Sequence, residues 1–229
     1  MSLRPLAPAL ILAACHHESP PPSAPPGHAR TTETKALETG ARELQTLAPT
    51  RAFDYYLDGF HVAKDNHAMV VEAHHFCTNK NEDFAQCALF DGNTADANLV
   101  GIEYIISERL YQKLPADEQK YWHPHNYEIT SGQLVMPGVP DAIEKAALAK
   151  KLNSYGKTWH VWDSEHSQMP LGDPALMWSF NHDGELPPRL LEQRDQRLHV
   201  DTKKKREGRR DLLPEARPQN GEDLLQSSR

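Results

Sequence analysis

The chain has 229 residues, a formal net charge of −7 and a hydrophobic content of 38%. The negative charge argues against nucleic-acid binding by the chain as a whole, because phosphate backbones select basic surfaces. Many of the 18 prolines cluster near the start and in the last third, which leaves a middle segment of ordinary domain size to form one core.

Residues 1–15 resemble a bacterial lipoprotein signal peptide. Arg4 precedes a short apolar run, which is too short to span a bilayer as a helix. The run ends in Leu12-Ala13-Ala14-Cys15, a lipobox-like sequence. We therefore expect cleavage before Cys15, attachment of diacylglyceryl and palmitate chains to it, and a membrane anchor made of acyl chains. The alternatives are an ordinary signal peptide in which the Cys occurs by chance, and an apolar N-terminal tail on a cytoplasmic protein.

The residue after Cys15 is His16 and not Asp. By the rule that sorts lipoproteins in Gram-negative bacteria, this residue favours a location in the bacterial cell envelope. The protein would be anchored in the outer membrane and face the periplasm. Residues 16–32 are rich in proline and predict an extended linker. Residues 33–185 are predicted to form the folded domain, and residues 186–229 a charged, largely disordered tail.

The domain is predicted to mix helices and strands, in an order set by hydrophobic periodicity and by turn residues. In chain order we expect helices at 33–48 and 51–62, strands at 68–77 and 84–90 joined as a hairpin, a strand at 98–106, helical segments within 107–121, a turn at Ser131-Gly132, a helix at 141–155 begun by Asp141 and stopped by Gly156, and strands at 157–163 and 175–180. This pattern favours an α+β fold, a single domain with a mainly antiparallel sheet and flanking helices.

The stretch at 72–77 concentrates residue types that bind transition metals. Because side chains alternate along a strand, Glu72 and His74 share one face, whereas His75 and Cys77 share the other. The pair Glu72 and His74 is therefore a candidate two-ligand edge.

Further candidate ligands lie downstream. The sequence His123-Pro124-His125 gives the same spacing in an extended segment, and Glu103 is a carboxylate within an apolar strand that must find a partner. His160 could add another imidazole. We predict a divalent-metal site, zinc being one candidate ion, formed by Glu72, His74, Glu103, His123 and His125. A bound metal could activate water for hydrolysis; histidines that pack and hydrogen-bond around the two glutamates are the alternative.

Cys77 and Cys87 could face each other across the predicted hairpin. An exported protein permits a disulfide between them. Two reduced, partly buried thiols are the alternative.

Four blocks of the sequence resemble the oil body-associated protein family, a domain of unknown function. They are VEAHHFCTNKNEDFAQCALFD, LVGIEYIISERLYQKLPADEQKYWHPHNYEITSGQLVMPGVP, SYGKTWHVWD and PLGDPALMWSF, and the resemblance runs from about residue 50 to about residue 182. It implies association with a lipid surface and transfers no catalytic mechanism. Because many members are intracellular, it also favours reduced thiols at Cys77 and Cys87.

Two functions follow as expectations. The first is a lipid-anchored envelope protein that binds lipid or envelope proteins and no nucleic acid. The second is a metal-dependent, hydrolase-like enzyme or a metal-binding protein that uses the histidine and glutamate cluster.

Overall fold

The computed structural model describes residues 18–226, and the strands within them form one sheet. Every pair of neighbouring strands is antiparallel. The strands are β1 (Tyr55–Ala63), β2 (Asn66–Asn81), β3 (Phe84–Phe90), β4 (Leu99–Ile106), β5 (His123–Pro124), β6 (Tyr155–His160) and β7 (Ala175–Trp178).

The sheet closes into a six-stranded barrel. The order β4-β3-β2-β1-β7-β6 is completed by pairing of β4 with β6, so each of the six strands has two neighbours. Closure removes the free edges that an open sheet exposes. The predicted α+β domain with a mainly antiparallel sheet is confirmed at this level, and the barrel is the more specific description.

Helices surround the barrel and precede it. They are α1 (Thr32–Leu44), α2 (Ala48–Arg51), α3 (Glu108–Tyr111), α4 (Ala116–Gln119), α5 (Asn126–Ser131), α6 (Asp141–Ala149), α7 (Pro188–Leu198) and α8 (Thr202–Gly208), followed by a 3₁₀ helix at Arg210–Glu215. None of the helices within residues 18–226 is both long and apolar enough to cross a membrane.

One part of the barrel wall is irregular. The short strand β5 pairs with the start of β6, where His123 lies opposite Gly156. Further along the chain, Val135 forms an antiparallel bridge with Asp58 of β1. The segment from β5 through α5 therefore fills the wall between β1 and β6, beside the short strand β7.

The prediction of a helix at residues 51–62 is wrong for most of that segment. Residues 51–62 were expected to be helical, but Tyr55–Ala63 is β1. Every residue of β1 from Leu57 to Ala63 is buried, because the barrel interior covers one face and helices cover the other. A strand buried on both faces loses the polar alternation that marks a strand in sequence.

The helix predicted at 141–155 is shorter than expected. It ends at Ala149, Pro140 and not Asp141 takes the N-cap position, and Gly156 lies in β6 rather than at a helix end. The predicted helix at 33–48 is found as α1, the hairpin as β2 and β3, and the strands at 98–106 and 157–163 as β4 and β6. In the hairpin, strand pairing extends nearly to the turn, so the connecting loop is shorter than expected.

The structure corrects the expectation of a largely disordered tail after residue 186. Arg194 of α7 is fully buried, and its Nη1 donates to Oδ1 of Asp58 at 2.9 Å. Trp178 donates its indole N–H to the carbonyl of Gly221 at 2.9 Å. Residues up to 226 therefore cover the outside of the barrel.

The basic run at 203–210 is largely engaged within the molecule. Lys205 pairs with Asp141 and Glu144 of α6. Arg209 is buried and donates from Nη1 to the carbonyls of Ile129 and Leu134 at 2.6 and 2.9 Å. These side chains fix the tail to the domain.

Part of the proline-rich linker also lies on the barrel. The backbone of Ser19 bonds that of Asn93 and its side chain, at 2.8 and 2.6 Å. Asn98 donates to the carbonyl of Ser23 at 3.0 Å. The linker predicted at 16–32 is thus held at its described beginning, whereas Cys15 and the lipobox lie outside the described residues.

Candidate metal centre

The barrel interior holds a cluster of imidazoles and carboxylates. Strand register sets which side chains meet there, because Leu57 lies opposite His75, and Gly101 opposite His160. Because side chains alternate along a strand, His61 of β1 and Glu103 of β4 also point into the barrel interior. The buried polar residues gathered in this cluster are His61, His75, Glu103, His123, His125, Glu128 and His160.

Glu103 lies at the centre of the cluster. Its Oε2 is 2.9 Å from Nε2 of His75. Its Oε1 is 3.2 Å from Nε2 of His125 and 3.6 Å from Nε2 of His123. The Nε2 atoms of His123 and His125 are themselves 3.2 Å apart. Three imidazoles therefore direct the same ring nitrogen towards one carboxylate.

Contacts behind the cluster orient two of these rings. Nδ1 of His75 lies 2.9 Å from the carbonyl oxygen of Ala73, which can only accept. Nδ1 of His125 lies 2.8 Å from the hydroxyl of Ser154. A backbone carbonyl or hydroxyl on one ring nitrogen is the usual way in which proteins fix a histidine whose other nitrogen binds a metal.

Three groups of side chains among the described residues place their ligand atoms within 4.8 Å of one another; Asp58, Glu72 and His74 form one group outside the barrel, and the other two groups lie in its interior. The first interior group is His61, Glu103 and His123, and the second is His123, His125 and Glu128. His160 extends the first group, since its Nε2 lies 3.3 Å from Nδ1 of His61.

Gly156 makes room for these side chains. A Cβ atom built on Gly156 would lie 2.6 Å from Nε2 of His125, 2.7 Å from Nε2 of His123, and closer still to Oε1 of Glu103. Real Cβ atoms do not approach other atoms so closely. The space above Gly156 is therefore bordered by three ligand atoms at once, and only glycine leaves it open.

Burial keeps several of the imidazoles neutral. It lowers the pKa of His123 and of His160 to about 3, aided by the charge of neighbouring histidines. Burial also lowers the pKa of His61 well below its usual range. Neutral imidazole is the form that binds a metal ion. Within the described chain, Nδ1 of His160 has no hydrogen-bond partner.

The two glutamates of the interior differ in charge. Burial would raise the pKa of Glu103, but hydrogen bonds from His125 and His75 hold it well below its usual range. Burial, with the charge of Glu103 added, raises the pKa of Glu128 well above its ordinary value. Glu103 is thus the anionic member of the cluster, and Glu128, whose carboxyl lies 3.9 Å from His125, keeps its proton to a higher pH than a free glutamate does.

A second polar cluster lies on the outer face of β1 and β2. His74 Nδ1 is 3.3 Å from Oδ2 of Asp58, and His74 Nε2 is 3.7 Å from Oε1 of Glu72. The hydroxyl of Tyr56 lies 2.6 Å from His74 Nδ1, and Arg197 of α7 pairs with Glu72. Two arginines of α7 thus approach this cluster, one on Asp58 and one on Glu72.

The five ligands predicted from sequence are therefore divided by the barrel wall. Glu103, His123 and His125 come together inside, whereas Glu72 and His74 lie outside with Asp58. The single site of five ligands is not formed, because the same alternation that separates Glu72 from His75 also separates it from Glu103.

Sequence reasoning missed several members of the interior cluster. His61 was overlooked because its strand was predicted to be a helix, and His75 was assigned to the face without the metal. The available signal was the interval of two between Leu57, Gly59, His61 and Ala63, which fits one face of a strand. Glu128 lies in the same ligand-rich stretch, three residues after His125, but its spacing fits no standard metal motif and it is not among the predicted ligands.

Cys77 and Cys87 lie opposite each other in β2 and β3 and form a disulfide, with a Cα–Cα distance of 4.1 Å. Both side chains are buried. The bond links neighbouring strands on the face that points into the barrel.

The fold and the interior together define a class of protein, a closed antiparallel barrel whose interior carries imidazole and carboxylate donors. Residues 47–213 match the family described as "Protein of unknown function (DUF1264)", and the chain belongs to this family. Its resemblance to oil body-associated proteins is confirmed.

Plant relatives cover most of the chain. Oil body-associated protein 1B of Arabidopsis thaliana is 39% identical over 198 residues, which are 86% of this chain and 82% of the relative. Oil body-associated protein 1A of Zea mays is 40% identical over 185 residues, 80% of this chain and 78% of the relative. Oil body-associated protein 2A of Zea mays is 37% identical over 202 residues, 87% and 80% of the two chains. No solved structure is matched by the chain.

Proposed function

We propose that the protein binds a first-row transition metal ion, such as zinc, inside the barrel. The observation that carries this proposal is the convergence of His61, Glu103 and His123, whose ligand atoms all lie within 4.8 Å of one another in a buried interior. Imidazole and carboxylate donors suit zinc, iron, copper and nickel. His75 and His125, which contact Glu103, complete the supply of donors.

The buried position favours a metal over a purely hydrogen-bonded cluster. Nε2 of His123 and Nε2 of His125 lie 3.2 Å apart and both face Oε1 of Glu103, so three potential ligand atoms border one buried position. A cation at the centre would interact with the Glu103 carboxylate and with neutral imidazoles. Glu128, whose raised pKa favours its protonated form and which lies 3.9 Å from His125, would be the candidate proton donor in a metal-assisted hydrolysis.

The test is metal stoichiometry in the purified full chain, followed by removal with a chelator and titration with Zn²⁺ or Co²⁺. We expect about one ion per chain, and a Co²⁺ absorption spectrum typical of nitrogen and oxygen ligands. His123→Ala and Glu103→Gln should each weaken binding at least tenfold.

His166→Ala is the matched control, because His166 is an exposed histidine that contacts Asp163 outside the barrel. His74→Ala tests the outer cluster. The proposal fails if the wild-type chain takes up no stoichiometric metal, or if His74→Ala and not His123→Ala removes the ion.

We also propose that the protein is a lipid-anchored envelope protein whose barrel rests on a lipid surface, with Cys15 as the lipidation site at the outer membrane. Ser19 is bound to the barrel, and four residues of extended chain reach at most about 14 Å. An acyl anchor on Cys15 would therefore hold the barrel close to the membrane. The names of the plant relatives point to lipid surfaces in the same way.

The surface beside residues 19–23, the part of the linker that lies on the barrel, suits a lipid partner. Asn98 and Ser164 bond Ser23. Leu99, which follows Asn98 in the chain, and Val161 are apolar side chains that are 54% and 48% exposed, and both line one shallow apolar cavity on this surface. Exposed apolar patches of this kind mark contact surfaces.

Fractionation of cells that express the full chain tests the anchor. The wild-type protein should sediment with membranes and Cys15→Ala should be soluble, whereas Cys15→Ala with an unrelated lipoprotein signal should return to the membrane. A wild-type protein that is found in the soluble fraction would contradict the anchor and leave the metal proposal untouched.

A further inference from the structure

A cavity of about 430 Å³ opens at the end of the barrel away from Ser19. Its volume falls in the range of about 300–1,000 Å³ that small-molecule sites occupy. Helix α6 covers it, and Ile143 of that helix is exposed at the edge. Its apolar wall comes from barrel strands and from α6, and includes Leu57, Ala85, Ile105, Met136, Ala147 and Leu148.

A lysine ammonium lies at the rim of this apolar space. Lys151 Nζ donates to Oδ1 of Asn79 at 3.1 Å, and the hydroxyl of Tyr55 donates to the same oxygen at 2.9 Å. Lys151 also lies over the ring of Tyr55, 5.2 Å from its centroid. Two donors thus converge on one amide oxygen at the mouth of the cavity.

Lys151 has no carboxylate as an ion-pair partner among the described residues, and its ammonium is partly removed from water. Burial lowers its pKa, against the raising effect of the charges of Glu103 and Glu82. A partly desolvated cation beside an apolar cavity is complementary to an anionic group that carries an apolar chain.

The other charged groups at the rim do not supply that anion. Asp83 is held by Arg109 and by the hydroxyl of Ser107, at 3.3 and 2.6 Å. Glu82 is exposed in the turn between β2 and β3, and Lys150 adds a second cation at the edge of the cavity.

We propose that this cavity binds a single-chain amphiphile with a carboxylate head, such as a medium- or long-chain fatty acid. The chain lies against Leu57, Ile105 and Leu148, and the carboxylate accepts hydrogen bonds from Lys151 and Tyr55 in place of Asn79. The site goes beyond the metal proposal, although Ser154 both lines this cavity and contacts His125.

The test is calorimetric titration of the purified full chain with dodecanoate and with dodecan-1-ol, below their aggregation concentrations and with a chelator present. The wild-type chain should bind dodecanoate saturably. Lys151→Met should weaken dodecanoate binding at least tenfold and leave dodecanol binding within about twofold, because only the head group loses its partner.

Lys145→Met is the matched control, since Lys145 is on α6 and pairs with Asp211 outside the cavity. Ala147→Trp should fill the cavity and abolish binding of both ligands, with folding checked by circular dichroism. The proposal is overturned if the wild-type chain binds no dodecanoate. It is also overturned if Lys151→Met binds dodecanoate as tightly as Lys145→Met does.

The chelator separates this result from the metal proposal. Dodecanoate binding in the metal-free chain supports the cavity site whether or not the barrel interior binds an ion. Metal uptake without dodecanoate binding supports the barrel centre and contradicts the cavity site.

Discussion

Single atoms decide whether the barrel interior has room for an ion. Glu103, His123 and His125 approach one another over Gly156, where any side chain would collide with all three. Their convergence therefore depends on the absence of a side chain at position 156 as well as on the three residues themselves.

Gly156→Ala should reduce metal affinity at least tenfold, because the added methyl group pushes the ligand atoms apart. The measurement is a Zn²⁺ competition titration, with folding monitored by circular dichroism. Gly208→Ala is the control, since a Cβ there meets no atom within 4 Å. Equal affinities in the two variants would show that the space over Gly156 is not the binding position.

Glu128 predicts a pH dependence of stability in the metal-free protein. Its pKa in the folded state is raised above the ordinary 4.5, first by burial and then by the charge of Glu103. Above pH 4.5 the unfolded chain releases this proton whereas the folded chain keeps it, so stability falls as pH rises.

Glu128→Gln imitates the protonated carboxyl and removes this dependence. The free energy of unfolding of the variant, relative to that of the wild type, should increase with pH by up to about 1.4 kcal/mol per unit. Urea denaturation at several pH values in the presence of a chelator measures it. Parallel curves for the two proteins would refute the assignment of a neutral Glu128.

At the scale of elements, α7 is attached to the barrel by a buried ion pair. Arg194 donates to Asp58 and to the carbonyl of Gln133, each at 2.9 Å, and its Nη2 donates to Thr202 of α8 at 2.9 Å. One guanidinium thus joins β1, the segment after α5 and the start of α8.

Arg194→Met should reduce the free energy of unfolding by about 3–5 kcal/mol, because it leaves the Asp58 carboxylate buried without its partner. Chemical denaturation measures the change. Arg189→Met on the same helix is the control, since Arg189 is exposed and its loss should cost less than about 0.5 kcal/mol. A similar small effect at Arg194 would argue that α7 does not dock as described.

At the scale of the whole molecule, the C-terminal segment completes the domain. Phe60, Val62 and Trp178 on the outer face of the barrel form a buried cluster with Leu186 and Leu225. Burial of each large apolar side chain contributes about 1.5–3 kcal/mol. Together with the ion pair of Asp58, these contacts are comparable to the total stability of a domain, about 5–15 kcal/mol.

A chain that ends at residue 186 should therefore fail to fold cooperatively, as judged by thermal denaturation and solubility. Replacing α1 by a Gly/Ser sequence of equal length is the control, because no residue of α1 is buried. The control should keep the wild-type melting temperature within about 2 °C, since exposed changes are worth less than about 0.5 kcal/mol. A truncated chain with wild-type stability would restore the interpretation of a disordered tail.

The sequence by itself determined what is local or shared with relatives. Alternation along β2 separated Glu72 and His74 from His75 and Cys77, the turn residues located the β2–β3 hairpin, and long blocks identified the family. These features depend on neighbouring residues, whose spacing fixes which face a side chain occupies.

Only the tertiary structure decided which of those faces meet. Closure between β4 and β6 brings Gly101 opposite His160, and Arg194 reaches Asp58 across 136 residues of sequence. Periodicity shows that a face is buried but not which element packs against it. The charge and proline content of residues 186–229 therefore predict a disordered tail, although the barrel provides the surface on which this segment folds. The same reason applies to the candidate metal centre, because strand pairing and not spacing along the chain brings His61, Glu103 and His123 together.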